Sequence, residues 1–310
     1  MQRQKVCAVD ARKVIIIAGS GRSGTSWLHD VLTSLYNDYR QIFEPLHPGQ
    51  VPGATQFAGL CLGAEDHNDA LYQYLDAVFH GSAPKAWLRW MHMGISIETG
   101  FSRKAIQFLY NLPKLKFWAT HRVVKFIQAN LMLEWIGESF DYPIVFVIRN
   151  PYAVISSQLN MGWDHRVEHY TRQENVRKML GESLTKFSES LVTIEQKLTA
   201  RWCIENLIAI KQIDSLQRAG KSVIPVTYEK LQKDGNLDLM LRTLGYSDDD
   251  VVAVGLNMAR REKWRSSRRK STKGIGLSSE RESRIKVVLD RFSMGSYKEL
   301  TDGFDSIFVS

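Results

Sequence analysis

The stretch KVIIIAGSGRSGTSWL, Lys13 to Leu28, restricts the fold more than any other part of the chain. Its β-branched run, Val14–Ala18, reads as a buried strand. A turn with Gly19, Gly21 and Gly24 follows, then an amphipathic helix with Leu28, Val31, Leu32 and Leu35 on one face. Strand, glycine-rich turn and helix N-terminus together make an anion site, because backbone N–H groups and the positive end of the helix dipole point at the ligand. The turn approaches the pattern G-x-x-x-x-G-K-[ST]: Gly19, Gly24 and Ser26 fit, but Thr25 stands where the lysine belongs. A nucleoside triphosphatase needs that lysine, and a carboxylate on another strand to help hold magnesium. The strand PIVFVIRNP instead ends in Arg149 and Asn150. The loop is therefore expected to take an anion without a metal, with Arg22 supplying charge and Thr25 and Ser26 supplying hydroxyls.

Further strands are expected at Arg40–Phe43, Arg122–Lys125, Ile144–Ile148 and Ser222–Thr227. Near-continuous apolar strands alternating with helices imply a parallel sheet covered on both faces. Helices are expected at Thr25–Tyr36, Asp69–Phe79, Arg103–Leu112, Phe126–Glu138, from Pro151 behind an Asn150 cap, over about Ser188–Arg218, and at about Ser279–Phe292. The expected fold class is α/β: a P-loop-like parallel sheet flanked by helices in three α/β/α layers, with a helical insertion. Residues 1–310 read as one domain, without a linker. In such sheets the ligand lies beyond the carboxyl ends of the strands, where the Gly19–Gly24 loop, Glu44, Lys125 and Arg149 all fall.

A net charge of +8 suits anionic ligands, and much of it sits in REKWRSSRRKSTKG, Arg261 to Gly274. No nucleic-acid-binding motif accompanies it, so no nucleic acid partner is expected. Three scattered cysteines and the lack of a signal-peptide pattern lead to an expected reducing, cytoplasmic location. No apolar run reaches the roughly 20 residues of a membrane span. The eight histidines show no metal-ligand spacing.

GRSGTSWL resembles the 5′-phosphosulfate loop of the sulfotransferases, which use 3′-phosphoadenosine 5′-phosphosulfate (PAPS) as co-substrate. On that resemblance Gly21, Arg22, Ser23, Gly24, Thr25, Ser26 and Trp27 form the loop. The family's second motif, an arginine closing a strand and a serine eight residues on, corresponds to Arg149 and Ser157 in VIRNPYAVISSQL, and it implies a grip on the 3′-phosphate. The chain departs from the usual Arg-Asp-Pro-Arg, reading Arg-Asn-Pro-Tyr, so Tyr152 removes one charge. RVVKFIQANLMLEWI, LTARWCIENLIAIKQ, VIPVTYEKLQKD and KWR are also similar to the family, and Tyr228 in the third is taken as a cofactor contact. The resemblance covers about Lys13–Gly53 and Arg122–Tyr297. Residues 261–280 are expected as a basic loop covering the cofactor, with Arg265 and Arg269 as contacts. The insertion at about 47–120 is expected to read the acceptor.

The resemblance implies sulfuryl transfer from PAPS to a hydroxyl, with Arg22 and Lys125 placed where charge develops. The histidine base of the aryl and steroid enzymes is absent, because its position holds Ile127. IFEPLH resembles the Phe-Glu-Pro-Leu segment of carbohydrate sulfotransferases, which makes Glu44 the expected base and a carbohydrate or glycoconjugate the expected acceptor. A structural carboxylate paired with a loop cation is the competing account of Glu44, and His47 and His121 are further candidates. A protein tyrosine, a lipid or a small metabolite as acceptor also stays open, as does a non-catalytic nucleotide-binding protein. Trp87, Trp90, Met91 and Met93 suit either an acceptor cleft or the core.

Overall fold

The computed structural model describes residues 13–49, 51, 53–81, 119–163, 165–233, 235–270 and 276–295, without the side chains of 261–270. Strands β1 (Val14–Ala18), β2 (Tyr39–Phe43), β3 (His121–Phe126), β4 (Ile144–Ile148) and β5 (Val223–Thr227) form one parallel sheet in the order β2-β3-β1-β4-β5. All five residues of β1, β4 and β5 are buried, as the unbroken apolar runs require.

Alternation along β1 divides the core in two. Val14, Ile16 and Ala18 face a layer that includes α2 (Asp69–Phe79), α3 (Leu133–Ser139), α4 (Pro151–Asn160) and α5 (Val167–Thr171). Ile15 and Ile17 face α1 (Thr25–Ser34) and the helices that follow β5. The expected three layers are therefore present. In the first, α6 (Glu174–Leu180), α7 (Glu182–Ser190) and α8 (Ile194–Arg218) follow α5. In the second, α9 (Tyr228–Leu231), α10 (Asn236–Thr243) and α11 (Asp249–Lys270) follow β5, and α12 (Ser279–Arg291) returns to the first.

Three expectations need correction. Phe126 ends β3 and residues 127–132 are turns, so the helix expected from Phe126 starts only at Leu133. Side chains claim that segment's backbone: Glu44 Oε2 accepts from Ile127 N (2.9 Å), and Gln212 binds Leu131 O and Leu133 N. The helix expected over Ser188–Arg218 is two helices, because extended Leu191 and Thr193 break it and Gln196 Oε1 accepts from Thr193 N at 3.2 Å. Residues 261–270, expected as loop, are the last turns of α11. The expected helix Arg103–Leu112 lies outside the described residues, as do Trp87, Trp90, Met91 and Met93.

The long helix α8 buries several polar groups among its apolar ones. Arg201 Nε donates to Glu205 Oε1 (2.8 Å), which also accepts from Tyr170 Oη of α5 (2.8 Å). Asn206 Nδ2 donates to Ser20 Oγ at 3.1 Å. Gln212 Nε2 donates to Leu62 O (2.9 Å) and Leu131 O (3.0 Å), while its Oε1 accepts from Leu133 N (2.8 Å). Gln212 thus holds two loops with one amide. Gln212→Leu strands Leu62 O and Leu133 N, while Leu131 O keeps the Leu62 N–H, and it is expected to cost about 2–4 kcal/mol in chemical denaturation, since each unsatisfied group costs roughly 1–3 kcal/mol.

Candidate active site

The carboxyl ends of β1, β2, β3 and β4 converge, because β1 lies between β3 and β4 and the chain reverses direction across the sheet there. Gly19, Glu44, Ile127 and Arg149 are the first residues beyond those ends.

The loop after β1 is tightly determined. A Cβ on Gly19 would sit 2.3 Å from Val147 O. Gly24, at φ 99°, is the N-cap of α1 and has no side chain to occupy the first-turn N–H groups. Its missing Cβ would lie 2.2 Å from the Tyr228 ring, so the loop, α1 and α9 pack directly together. Gln158 Nε2 donates to Gly21 O at 2.9 Å. Ser23 Oγ is buried without a hydrogen-bond partner, and Thr25 is buried beside it in sequence. Trp27 meets Tyr228 edge to face at 5.8 Å between centroids.

The two motifs separated by more than a hundred residues meet in space. Arg22 Nε donates to Ser157 Oγ (2.9 Å), and Arg149 Nη1 donates to Arg22 O (3.1 Å). Arg149 stacks over the Tyr228 ring at 4.5 Å. Partial burial, and then the Arg149 charge, push Arg22 below the ordinary guanidinium range. Glu229 Oε1 lies 4.0 Å from Arg149 Nε and is the carboxylate beside this pair of arginines. Asn150 caps α4 as expected, accepting from Tyr152 N (3.0 Å) and Ala153 N (3.4 Å), and this fixes the helix that carries Ser157.

Glu44 and Lys125 form a buried ion pair, 2% and 3% exposed, between Glu44 Oε1 and Lys125 Nζ. Glu44 N donates to Lys125 O at 2.9 Å, and Lys125 Nζ sits 3.8 Å over the Phe43 ring. Before a proline an extended conformation is expected, yet Glu44 is left-handed at φ 54°. Both of its carboxylate oxygens are engaged, one by Lys125 and one by Ile127 N. His47 N donates to Glu44 O at 3.0 Å. Burial pushes the His47 imidazole below its usual range; Glu44 opposes that shift, while Arg166 and Lys125 add to it. His121 opens β3 at the opposite edge of the sheet and pairs with Asp38 at 2.7 Å, so it stands away from this site. The side chains of Arg265 and Arg269 lie outside the described residues, on a backbone that is helical.

The sequence reading missed Gln158, Asn206 and Glu229, whose Oε1 accepts from Asn150 N at 3.1 Å. Gln158 and Asn206 each occupy a buried face of a helix. A lone amide there was the available signal, since a buried polar group must find a partner.

A sequence model described as the sulfotransferase family matches residues 14–237. The chain belongs to that family, and it is a PAPS-dependent sulfotransferase. No curated protein matches it significantly. The residues present fit an anionic nucleotide: an orphaned buried hydroxyl at Ser23, an N-cap lacking a Cβ at Gly24, and the charges of Arg22 and Arg149, which act on one another. Among the described residues, no helix is long and apolar enough to cross a membrane.

Gly24→Ala drives a methyl into Tyr228 and forces a left-handed backbone on alanine. It is expected to weaken binding of adenosine 3′,5′-bisphosphate by about tenfold or more, corresponding to at least about 1.4 kcal/mol, while circular dichroism reports an intact fold. Titration calorimetry measures the affinity.

Proposed function

We propose that the protein transfers a sulfuryl group from PAPS to a hydroxyl of a carbohydrate or glycoconjugate. The observation that carries this reading is the Glu44–Pro45–Leu46 turn, which holds a buried carboxylate against Lys125 at the carboxyl end of the sheet. PAPS, when bound, supplies the activated sulfuryl group on its 5′-phosphate.

The Gly21–Trp27 loop holds the 5′-phosphosulfate through its N–H groups and the hydroxyls of Ser23, Thr25 and Ser26. Arg149 and Ser157 hold the 3′-phosphate, so Arg22 leaves Ser157 when the site fills. Tyr228 and Trp27 wall the nucleotide. Lys125 exchanges Glu44 Oε1 for the anionic charge that develops beside it, and the released Oε1 accepts the proton of the acceptor hydroxyl. Arg22 and Lys125 together carry the neutralising charge. Two buried free thiols, Cys61 and Cys203, support a reducing, cytoplasmic setting.

A second reading is favoured by the full engagement of the Glu44 carboxylate: Glu44 holds Lys125 in position and takes no proton. Glu44→Gln separates the two. As the base, Glu44 is required for chemistry, so kcat falls about 10²–10⁴-fold and the acid limb of the pH–rate profile disappears, with nucleotide affinity retained. As a positioning residue, its loss lowers kcat and leaves that limb in place. Single-turnover assays with labelled PAPS and a panel of glycan, tyrosine-peptide and lipid acceptors test the acceptor class. Transfer confined to the peptides or lipids removes the carbohydrate reading, and tighter binding of ATP with magnesium than of adenosine 3′,5′-bisphosphate removes the cofactor assignment.

A further inference from the structure

Successive carbonyls of the anion loop, those of Ser20, Gly21 and Arg22, each accept a hydrogen bond. The donors are Ser23 N (3.0 Å), Gln158 Nε2 (2.9 Å) and Arg149 Nη1 (3.1 Å). A trans peptide points its N–H away from its C=O. Carbonyls turned onto these donors therefore turn the N–H groups of Gly21 and Arg22 the opposite way. Among the described residues, neither of those N–H groups makes a hydrogen bond. Carbonyls tied back and N–H groups left open on the other side are what an anion cradle requires.

Of the two side-chain donors, Gln158 is the neutral one, and it is buried at 3% exposure. Its amide cannot be turned round, because Oε1 would then face the Gly21 carbonyl, acceptor against acceptor. In the orientation it keeps, Oε1 is buried without a hydrogen-bond partner. The amide thus satisfies the loop while its own oxygen goes without, which is uncommon and calls for a reason.

The same stretch of chain holds Gly21 in a second way. The Gln158 carbonyl accepts from Trp163 N at 3.1 Å, and a Cβ on Gly21 would lie 2.3 Å from the Trp163 ring. Gly21 therefore has an indole against its Cα and an amide on its carbonyl. Arg22, next in the chain, has φ 77°. Its two flanking peptides are the ones held by Gln158 and by Arg149, and together they impose a left-handed conformation that a residue with a side chain rarely adopts.

We propose that Gln158 is a positioning residue for the 5′-phosphosulfate. By holding the Gly21 carbonyl it aims the Arg22 N–H, and the backbone that carries the Arg22 side chain, at the 5′ end of the nucleotide. The inference rests on the assignment made above of the loop to the 5′ end and of Ser157 to the 3′-phosphate, and it is independent of the acceptor. Ser157 and Gln158 are neighbours on α4 with different partners, Arg22 Nε for the Ser157 hydroxyl and Gly21 O for the Gln158 amide. Adjacent residues of one helix thus serve opposite ends of one ligand.

The test measures affinities by calorimetry on the full chain. Its probes are adenosine 3′,5′-bisphosphate, adenosine 3′-monophosphate and adenosine 5′-monophosphate. The affinity ratio of the bisphosphate to the 3′-monophosphate reads the 5′ end. The ratio of the bisphosphate to the 5′-monophosphate reads the 3′ end. Gln158→Met keeps an unbranched side chain of similar length and removes the donor. It is expected to lower the 5′ ratio about tenfold and to leave the 3′ ratio within about twofold, since the lost bond acts through the loop alone. Ser157→Ala is expected to give the reverse pattern. A role confined to packing α4 would move both ratios together. Both ratios falling alike in Gln158→Met, or neither falling, would overturn the proposal. A measurement on the wild type needs no variant: the NMR resonance of the Arg22 amide is expected to shift with the 5′-monophosphate and to stay in place with the 3′-monophosphate. No shift with the 5′-monophosphate would overturn the proposal as well. A wild type that binds the bisphosphate no more tightly than the 3′-monophosphate sinks the assignment of the loop to the 5′ end. A 5′ preference that the wild type shows and Gln158→Met retains in full sinks only the role of Gln158.

Discussion

Glu44 and Lys125 meet beneath the tips of β2 and β3, almost wholly removed from water. Removing two charges from solvent is expensive, and their attraction offsets that cost only where good geometry and further hydrogen bonds accompany it. Here those are Ile127 N on the second carboxylate oxygen, the Phe43 ring under the ammonium, and the backbone bond from Glu44 N to Lys125 O. The turn after β3 takes its course from this pair, because Ile127 N serves Glu44 in place of a helix. The 58–60 segment then hangs from that turn through Gln128 O. The turn after β3 and the 58–60 segment are thus arranged around one buried interaction.

The anion loop places two guanidinium groups so that the charge of one acts on the other. Arg22 Nε is held by Ser157 Oγ and Arg149 Nη1 by the Arg22 carbonyl, while Glu229 Oε1 stands 4.0 Å from Arg149 Nε and offsets part of that charge.

Much of the fold was legible in the sequence because the sheet is buried on both faces. Val14–Ala18 and Ile144–Ile148 are unbroken apolar runs, and the structure reproduces their limits. The anion loop was legible because glycine at left-handed or crowded positions leaves a pattern of its own, as Gly19 and Gly24 do. What failed was set by tertiary hydrogen bonds that leave no local trace. The 127–132 segment has the periodicity of a helix, but Glu44 and Gln212 claim its backbone from 83 and 81 residues away in sequence. Lys125 and Glu44 were each singled out, and a pairing of Glu44 with a loop cation was one expectation, but nothing in a linear pattern says which cation the carboxylate meets.

The helix α8 carries a consequence for the whole molecule. Its buried polar side chains address three places at once: Asn206 the anion loop, Glu205 with Arg201 the Tyr170 hydroxyl of α5, and Gln212 the loops around Leu62 and Leu131. Glu205 and Gln212 are separated by seven residues, about 10 Å of helical rise and close to two full turns. One helix therefore spaces the anion loop, α5 and the loops around Leu62 and Leu131. Substitutions among its apolar residues leave that spacing intact, but inserting one residue between Glu205 and Gln212 turns the far part by about 100°. Change in length is closed to this helix, and variation falls to the loops that it spaces.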